Sequence, residues 1–196
     1  MSNDGIVIRP AQVNDAKKLL DIYSPYILNT AVTFEYDVPS TEQFKERILS
    51  ITQKYPYILA QCGDEILGYA YASEFKSRAA YSCSAEVSIY VKQERRHMGI
   101  GKKLYTALEN ILRAQNICNL YACIASPKTP DKYLDKNSIN FHKAVGYSTV
   151  GEFHNCAYKF GIWYNMVFME KFINNHSENR ADLIPITETD INSLLA

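Results

Sequence analysis

An apolar segment followed by a basic, glycine-containing loop is the part of this sequence best suited to bind a ligand. The segment Val87–Val91 leads into the loop 92–99, and a helical pattern begins near Gly101. Glycine lets a backbone approach a ligand closely, and the first amide groups of a helix attract anions because they have no acceptor within the helix. With two arginines and two lysines around it, this loop is predicted to bind a pyrophosphate group. Its bare glycine spacing matches neither the P-loop nor the dinucleotide-binding pattern, and a helix entrance with a solvated basic rim is the alternative.

A single domain of strands and helices is predicted around this segment. The apolar periodicity follows the order β-α-α-β-β-β-α-β-α-β-β, which predicts a mixed α/β sheet with helices on both faces. Ser40 and Gln43 have the spacing of a capping box at the start of the second helix. The predicted strands are 6–9, 57–62, 65–74, 85–92, 118–125, 147–158 and 163–171, and later helices cover 101–115 and 137–145.

The composition fits one globular domain and gives no reason to expect nucleic acid as a partner. The chain has 196 residues, 47% of them hydrophobic, and its 21 Lys and Arg balance its 21 Asp and Glu. The longest apolar runs are too short to span a bilayer, and the first residues lack a signal-peptide pattern. A cytoplasmic protein without membrane contact is therefore predicted.

The cysteines and histidines are not spaced as metal ligands. The five cysteines form no C-x-x-C pair, and the four histidines do not repeat at the spacing of a metal site. We therefore predict no metal and expect the cysteines to be small buried residues.

The character of the chain changes after Lys171. Residues 173–196 are rich in Asn, Glu, Asp and Ser and contain few apolar residues. We predict a domain of residues 1–172 followed by a loosely attached, flexible polar tail, 173–196. A short helix that docks through residues 190–195 is the weaker alternative.

Several motifs, in consistent order, resemble one family of transferases. The residues from Arg96 to Gly101 (RHMGIG) resemble the R/Q-x-x-G-x-G/A signature of the GNAT N-acetyltransferase superfamily, in the same strand–loop–helix context. Four further segments, 78–81, 85–91, 137–147 and 158–163, resemble its phosphinothricin and methionine-sulfoximine acetyltransferase branch. The resemblance covers residues 6–171. It implies a single-domain fold with a mixed, mostly antiparallel, splayed sheet flanked by helices on both faces.

The resemblance also implies that acetyl-CoA is the acetyl donor and co-substrate. The strand before the loop would pair, through its main chain, with the pantetheine arm and the thioester carbonyl, and these residues are Ile89, Tyr90 and Val91. The pyrophosphate would be held by Arg96, His97, Met98, Gly99, Ile100, Gly101 and Lys102. Asn137 matches a position that contacts the cofactor arm, and an ordinary N-cap is its alternative role.

Two side chains are candidates for proton transfer. Attack on a thioester needs a neutral amine, and Glu86 is the predicted general base, directly or through water. Glu86 precedes Ile89 by three residues, so it points to the opposite face of the strand, and a partly dry site would raise its pKa. His142 occupies the position where many superfamily members place a tyrosine, and it is predicted to protonate the departing thiolate. The alternatives are a solvent-facing strand glutamate for Glu86 and a packed or solvent-facing helix histidine for His142.

Two loops are expected to recognise the acceptor. Arg78 and Tyr81 are predicted to bind an acidic group, as in an amino acid, and Phe34 and Glu35 lie in the connection that forms the other wall in this family. Relatives commonly dimerise near the hairpin 159–163, so a homodimer is predicted. The loop 126–136 is several residues longer than the link typical of this branch, so specificity for herbicide-type acceptors is not assumed.

The sequence therefore predicts an acetyl-CoA-dependent N-acetyltransferase for the primary amine of a small molecule. An amino acid or an analogue such as methionine sulfoximine or phosphinothricin is the expected acceptor. An acetyltransferase for peptide or protein N-termini would need an open groove, whereas the aromatic residues Phe34 and Tyr81 favour a lidded pocket. A module that binds acetyl-CoA without catalysis is the third interpretation.

Overall fold

The computed structural model describes residues 5–179 and 181–195, whose strands form a seven-stranded sheet. The strands are β1 (Val7–Pro10), β2 (Tyr57–Cys62), β3 (Glu65–Glu74), β4 (Ser84–Val91), β5 (Asn119–Ser126), β6 (Ser148–Lys159) and β7 (Ile162–Phe172). Their spatial order is β1-β2-β3-β4-β5-β7-β6, and all neighbours are antiparallel except β4 and β5. The mixed, mostly antiparallel sheet is thereby confirmed.

Helices cover both faces of this sheet, as predicted. They are α1 (Ala16–Asn29), α2 (Thr41–Ile51), α3 (Ile100–Ala114), α4 (Asn137–Ala144) and α5 (Ile191–Leu195). One core cluster joins α1 and α2 to Tyr57, Leu59 and Tyr69. A second cluster joins α3 and α4 to residues of the opposite parity, such as Ile58 and Ala70. Successive side chains of a strand point to opposite faces of the sheet, so each helical layer packs against its own set of apolar strand residues.

Local sequence signals set two of these boundaries. The Gln43 N–H donates to Ser40 Oγ at 3.2 Å, and the Ser40 N–H donates to Gln43 Oε1 at 2.8 Å, which confirms the capping box of α2. Gly63 lies in the turn between β2 and β3 with a φ of +56°, a conformation that favours glycine.

Strands β4 and β5 pair only over their first residues. The pairs are Ser84–Asn119, Ala85–Leu120 and Glu86–Tyr121. The following residues, 87–91 and 122–126, form no pairs across these two strands, so the sheet opens between them. We call this opening the gap. The splayed sheet that the resemblance implied is confirmed.

The polar segment after β7 lies against the domain. The Gln115 side chain is 0% exposed, and its Nε2 donates to Ile184 O at 2.7 Å and to Lys54 O at 2.9 Å. Apolar residues of the segment pack on the α3 side of the core, and they include Ile173, Leu183, Ile186, Ile191, Leu194 and Leu195. The sequence predicted a loose tail because the segment is polar overall. A few well-spaced apolar residues are enough to bury one side of it, and the arrangement matches the docked alternative.

The exposure of the cysteines differs from the sequence prediction. Cys62, Cys123 and Cys156 are exposed and Cys118 is buried, so the expectation that all are buried is wrong. β6 is an edge strand with mostly exposed residues, which accounts for the exposure of Cys156.

In the part of the chain that the structure describes, no group of three His, Cys, Asp or Glu side chains could hold a metal ion. Across residues 5–179 and 181–195, no helix is both long and apolar enough to cross a bilayer.

Candidate active site

The main chain of β4 presents polar groups to the gap. The Lys92 N–H donates to Leu67 O at 2.8 Å. This bond makes Val91 and Gly68 a non-hydrogen-bonded pair, so the N–H and C=O groups of Val91 point away from β3. Ile89, two residues earlier on the strand, has the same orientation. The main-chain groups of Ile89 and Val91 therefore face the gap.

Tyr90, the third residue predicted to bind the pantetheine arm, is oriented differently. It forms the hydrogen-bonded pair with Tyr69, so its main-chain groups are used by β3. Its ring packs edge-on against Tyr23 and Tyr26, with centroids 4.7 and 5.3 Å away. The prediction for Tyr90 is corrected, because the main-chain groups of a strand alternate in direction and only every second residue faces the gap.

Tyr26 of α1 links β4 to the loop that follows it. Its hydroxyl donates to Val91 O at 2.5 Å. Its ring lies 5.2 Å from the guanidinium of Arg96, a cation–π contact. This role of Tyr26 could not be predicted from the sequence, since Tyr26 lies 65 residues from Val91.

The loop 92–99, which we call the cradle loop, ends in an arrangement suited to phosphate. His97 and Gly99 have φ values of +61° and +77°. Gly99 is the N-cap residue of α3, and no side chain caps the helix. The first amide N–H groups of α3 have no acceptor within the helix and carry the positive end of its dipole. They therefore offer donors to an anion.

Part of the positive charge near the cradle loop is neutralised within the protein. Lys92 Nζ and Arg95 Nη2 contact the Glu65 carboxylate at 2.8 and 3.0 Å. The hydrogen bond from Lys92 is the largest cause that holds the pKa of Glu65 below its usual value. Arg96 and Lys102 form no ion pair within the described residues, so they are the cations left for an anionic ligand.

Gly101 is explained by helix packing. A Cβ on Gly101 would lie 2.9 Å from Phe141 Cε2 and 3.5 Å from Ile89 Cδ1. The glycine therefore lets α3 approach α4 and β4 closely. From the sequence, we expected glycine at this position because a ligand would approach the backbone closely. In the structure, it is the neighbouring elements α4 and β4 that leave no room for a side chain.

Glu86 lies where the gap begins. It pairs with Ser73 of β3 and Tyr121 of β5, and no residue after it pairs with β5. The side chain is partly buried and forms no hydrogen bond or ion pair with the residues that the structure describes. Burial raises the pKa of Glu86, and the charge of Lys76 partly offsets this effect. Glu86 also contributes to a thiol pKa of about 11 at Cys123, after the larger effect of burial.

His142 is a buried, neutral residue in this structure. Its Nδ1–H donates to Ser138 O at 2.7 Å, so its Nε2 accepts from the Tyr105 hydroxyl at 2.9 Å. Burial lowers its pKa from 6.5 to about 4, although the bond to Ser138 raises it slightly. A neutral imidazole with its only N–H in use has no proton for a thiolate near neutral pH. The structure thus contradicts the predicted acid role, because the side chain lies 3% exposed in a packed interface.

Asn137 is the first residue of α4 and is tied to the loop before it. Its side-chain Nδ2 and its main-chain N–H donate to the Asp135 carboxylate at 2.5 and 2.8 Å. The N-cap position itself is Lys136. Asn137 is exposed, and its contact with the cofactor arm stays a prediction.

The loop between α1 and α2 carries the two residues predicted for one acceptor wall. The Glu35 carboxylate accepts from Arg47 at 2.8 and 3.3 Å. The Phe34 ring lies 6.4 Å from the ring of Tyr164. Residues 30–36, which we call the α1–α2 loop, are thus held to α2 on one side and to β7 on the other.

The long loop 126–136 is ordered by Asp131. Its carboxylate accepts from the N–H of Tyr133 at 2.7 Å and from the Tyr164 hydroxyl at 3.0 Å. The Ala31 N–H donates to Tyr133 O at 3.1 Å, so the loop also contacts the α1–α2 loop. The extra residues therefore form a second wall beside the gap.

Arg78 and Tyr81 lie at the surface of the loop between β3 and β4. Both are exposed, and the Tyr81 ring contacts Phe75 with centroids 5.9 Å apart. Lys76 of the same loop is the cation whose charge lowers the pKa of Glu86. Lys76 was not singled out from the sequence, although its basic type and its place beside the predicted Arg78 were visible there.

A small cavity in the gap shows which predicted residues the fold brings together. Its volume is about 60 Å³, and its walls include residues 87–90 of β4 and 122–125 of β5. His142 and Ser138 of α4 line one side, and Val32 and Leu134 come from the α1–α2 loop and the long loop. The gap is therefore a pocket between β4 and β5, with α4 on one side and one residue from each of the two loops in its walls.

A family model for the acetyltransferase (GNAT) domain matches residues 8–168. The chain belongs to the GNAT acetyltransferase family. A phosphinothricin N-acetyltransferase from Streptomyces coelicolor is 31% identical over 170 residues, covering 85% of this chain and 95% of that protein. An L-methionine sulfoximine/L-methionine sulfone acetyltransferase from Pseudomonas aeruginosa is 30% identical over 165 residues, covering 83% and 92%.

A solved structure agrees with this GNAT assignment. The phosphinothricin acetyltransferase from Sinorhizobium meliloti, in complex with acetyl-CoA, matches with a TM-score of 0.79 and 30% identity, covering 94% of this chain and 98% of that one. The chain is thus an acyltransferase of the GNAT type, as the motif from Arg96 to Gly101 indicated.

Proposed function

We propose that this GNAT acetyltransferase moves the acetyl group of acetyl-CoA to the primary amine of a small molecule, with Glu86 as the general base. The position of Glu86 is the observation that carries the proposal. Its partly buried carboxylate has no ion pair within the described residues and lies where β4 and β5 separate. A carboxylate in that state is available to accept a proton.

The residues at the gap fit acetyl-CoA as the donor. Bound there, acetyl-CoA supplies an acetyl thioester as the electrophile. The main-chain groups of Ile89 and Val91 face the gap and offer hydrogen bonds to the pantetheine arm. The uncapped start of α3, with Arg96 and Lys102 beside it, is suited to the pyrophosphate. The acetyl-CoA complex of the Sinorhizobium relative supports this assignment.

Glu86 removes a proton from the ammonium group of the acceptor, directly or through water. The neutral nitrogen then attacks the carbonyl carbon, a C–N bond forms, and the C–S bond breaks. The acylated nitrogen loses its second proton to water as the amide forms, and Glu86 returns the proton it accepted to solvent. CoA leaves as a thiolate and takes a proton from solvent, since His142 holds its only N–H against Ser138 O. The raised pKa of Glu86 brings its basicity closer to neutral pH, where a general base is most effective.

We infer that the acceptor is an amino acid or an analogue such as methionine sulfoximine or phosphinothricin. The names of the Streptomyces and Pseudomonas relatives support this class. Lys76 adds a positive charge near Glu86 that is suited to an acidic group on the acceptor. Phe34 and Glu35 are assigned to one wall of the acceptor site, and Arg78 and Tyr81 to its outer edge.

We also infer a homodimer that forms at the β6–β7 hairpin. Tyr158 and Trp163 are 49% and 57% exposed, and their rings lie 5.1 Å apart. Paired exposed aromatic rings are typical of a protein interface. Light scattering is expected to give the mass of two chains for the wild type and of one chain for Trp163→Arg. A monomeric wild type would contradict the dimer.

The first experiment is a thiol-release assay with acetyl-CoA and a panel of amines. The panel contains amino acids, methionine sulfoximine, phosphinothricin, polyamines and short peptides. Strong turnover of the amino-acid analogues supports the proposed acceptor class, and turnover of peptides alone overturns it. If no amine is acetylated while CoA still binds, the protein is a binding module and the catalytic proposal fails.

A further inference from the structure

Lys159 is a buried cation in the middle of the motif YKFGIW. It is the last residue of β6 and is only 2% exposed. The sequence placed residues 159–163 toward a partner subunit, but the structure turns Lys159 inward, away from its exposed neighbour Tyr158. A buried ammonium group is unfavourable unless its donors are used. The contacts of Lys159 therefore indicate what the residue does.

The ammonium group of Lys159 holds the α1–α2 loop. Its Nζ donates to Thr30 O at 3.0 Å and to Thr33 O at 2.7 Å. These contacts span 129 and 126 residues of sequence. One side chain of the β6–β7 hairpin thus fixes both ends of the turn that follows α1.

Thr33 passes this constraint to the two residues assigned to the acceptor wall. Its hydroxyl bonds with the Tyr23 hydroxyl at 2.9 Å and accepts from the Glu35 N–H at 3.4 Å. Phe34 lies between these two anchored residues. Lys159 holds the carbonyl of Thr33, and the Thr33 hydroxyl holds the N–H of Glu35. Together these two bonds fix the positions of Phe34 and Glu35 relative to the gap.

We propose that Lys159 is a positioning residue that sets the acceptor side of the site, and that it does so by fixing the α1–α2 loop through Thr30 and Thr33. This inference rests on the proposed acetyl transfer, since the loop is assigned to the acceptor. Among the residues that the structure describes, the contacts of Lys159 do not include the cradle loop or the start of α3. Loss of the ammonium group therefore weakens acceptor binding and leaves acetyl-CoA binding unchanged.

The test compares three variants by steady-state kinetics. Lys159→Met keeps the length and apolar stem but removes the donors, and Lys159→Arg keeps the charge and donors. Lys17→Met is the matched control, because Lys17 is an exposed lysine near the start of α1 that pairs with Asp21 of the same helix at 3.5 Å. It loses a charge and an ion pair, but no bond to the α1–α2 loop.

In Lys159→Met, the KM for the acceptor is expected to rise by at least about tenfold, which is the effect of losing one charged hydrogen bond. The KM for acetyl-CoA and the Kd for CoA are expected to stay within about twofold. Lys159→Arg recovers part of the acceptor KM, and Lys17→Met behaves as the wild type. Equal increases in both KM values, or an unchanged acceptor KM, overturn the proposal.

A second readout does not depend on turnover. Hydrogen exchange at the amides of residues 31–36 is expected to be faster in Lys159→Met than in the wild type, with exchange at residues 92–103 unchanged. If the wild type acetylates no amine, the proposed function fails, but this measurement still decides whether Lys159 orders the loop. Unchanged exchange at 31–36 overturns the role of Lys159. Should Lys159→Met not fold, Lys159→Gln gives the same comparison with a neutral side chain.

Discussion

Glu86 and Tyr121 form the last pair between β4 and β5, and the sheet opens directly after them. Glu86 is also paired with Ser73 on its other side. Its backbone is therefore fixed by two neighbouring strands, while its carboxylate lies beside the opening. Pairing on both sides holds the Cα and Cβ atoms of Glu86 in place, so the carboxylate can move only by rotation about its side-chain torsions.

Glu86→Gln is expected to lower kcat by roughly 10²–10⁴-fold, the usual contribution of a general base. Only the ionised carboxylate accepts a proton. Because burial raises the pKa of Glu86 above 4.5, the wild-type rate should fall on the acid side at a pH above that value. This acid limb should disappear in Glu86→Gln, and a pH–rate profile of both proteins checks it.

A matched control for this change is Glu74→Gln, since Glu74 is the next strand residue beyond Ser73 and its carboxylate forms an ion pair with Lys54 at 3.5 Å. Its kcat should equal that of the wild type.

The raised pKa of Glu86 means that ionisation of its carboxyl group destabilises the fold as the pH rises through that pKa. Glu86→Gln should therefore have an equal or higher Tm at neutral pH. A lower Tm with a parallel loss of activity would point to misfolding and not to a lost base.

His142→Gln is expected to affect stability more than catalysis. The change disturbs buried bonds to Ser138 O and Tyr105, which costs about 1–3 kcal/mol. The kcat should change by less than about tenfold, because a true general acid contributes roughly 10²–10⁴-fold. His154→Gln is the control, since His154 is 72% exposed. A large loss of kcat with an unchanged Tm would restore the acid role that the sequence suggested.

The same histidine predicts a pH dependence of stability. Its pKa is lowered from 6.5 to about 4 in the folded protein, so below pH 6.5 the unfolded state binds more protons. The contribution of His142 is present above pH 6.5 and is lost as the pH falls toward 4, by about 3 kcal/mol in total. Urea unfolding between pH 7 and 4 should show a steeper decline for the wild type than for His142→Gln. Parallel curves would contradict a neutral, buried imidazole.

Gly101→Ala is expected to destabilise the protein although alanine favours helices. The new Cβ would lie 2.9 Å from the ring of Phe141, and overpacking costs about 1–3 kcal/mol against a propensity gain of about 1 kcal/mol. The Tm should fall by about 2–4 °C per kcal/mol. In a Phe141→Leu background the added methyl group should cost less, and equal costs in both backgrounds would exclude the proposed clash.

Gln115→Ala is expected to loosen the segment after β7. It removes the bonds to Ile184 O and Lys54 O, at a cost of about 1–3 kcal/mol. Limited proteolysis should then cut between residues 174 and 190 faster than in the wild type. Gln53→Ala is the control, because Gln53 is exposed, lies just after α2, and donates from its side chain to Leu49 O of that helix. Equal cleavage of both variants would mean that the segment is not held by Gln115.

Local features of the fold could be predicted because their signals are local. The capping box of Ser40 and Gln43 acts over three residues, and Gly63 forms a turn within its own hairpin. The motif from Arg96 to Gly101 likewise joins a strand to the helix that follows it. In each case the residue type and the conformation it favours lie in the same short segment.

The contacts that shape the site could not be predicted in this way. Lys159 reaches Thr33 across 126 residues, and Tyr26 reaches Val91 across 65. The role of His142 depended on burial among aromatic rings, which the helix pattern does not show. The prediction for Tyr90 was wrong for a simpler reason. The resemblance named three consecutive residues, whereas strand geometry lets the main-chain groups of only alternate residues face the gap.

The surface that β4 offers to the gap belongs to its main chain, and replacing the side chains of Ile89 or Val91 leaves those N–H and C=O groups in place. The walls around it are different, since Val32 of the α1–α2 loop and Leu134 of the loop 126–136 contribute side chains, together with residues of β5, α3 and α4. Substitutions can therefore change the side-chain walls of the pocket while the main-chain surface of β4 stays intact. Mutant libraries that aim at a new substrate can therefore be confined to these two loops.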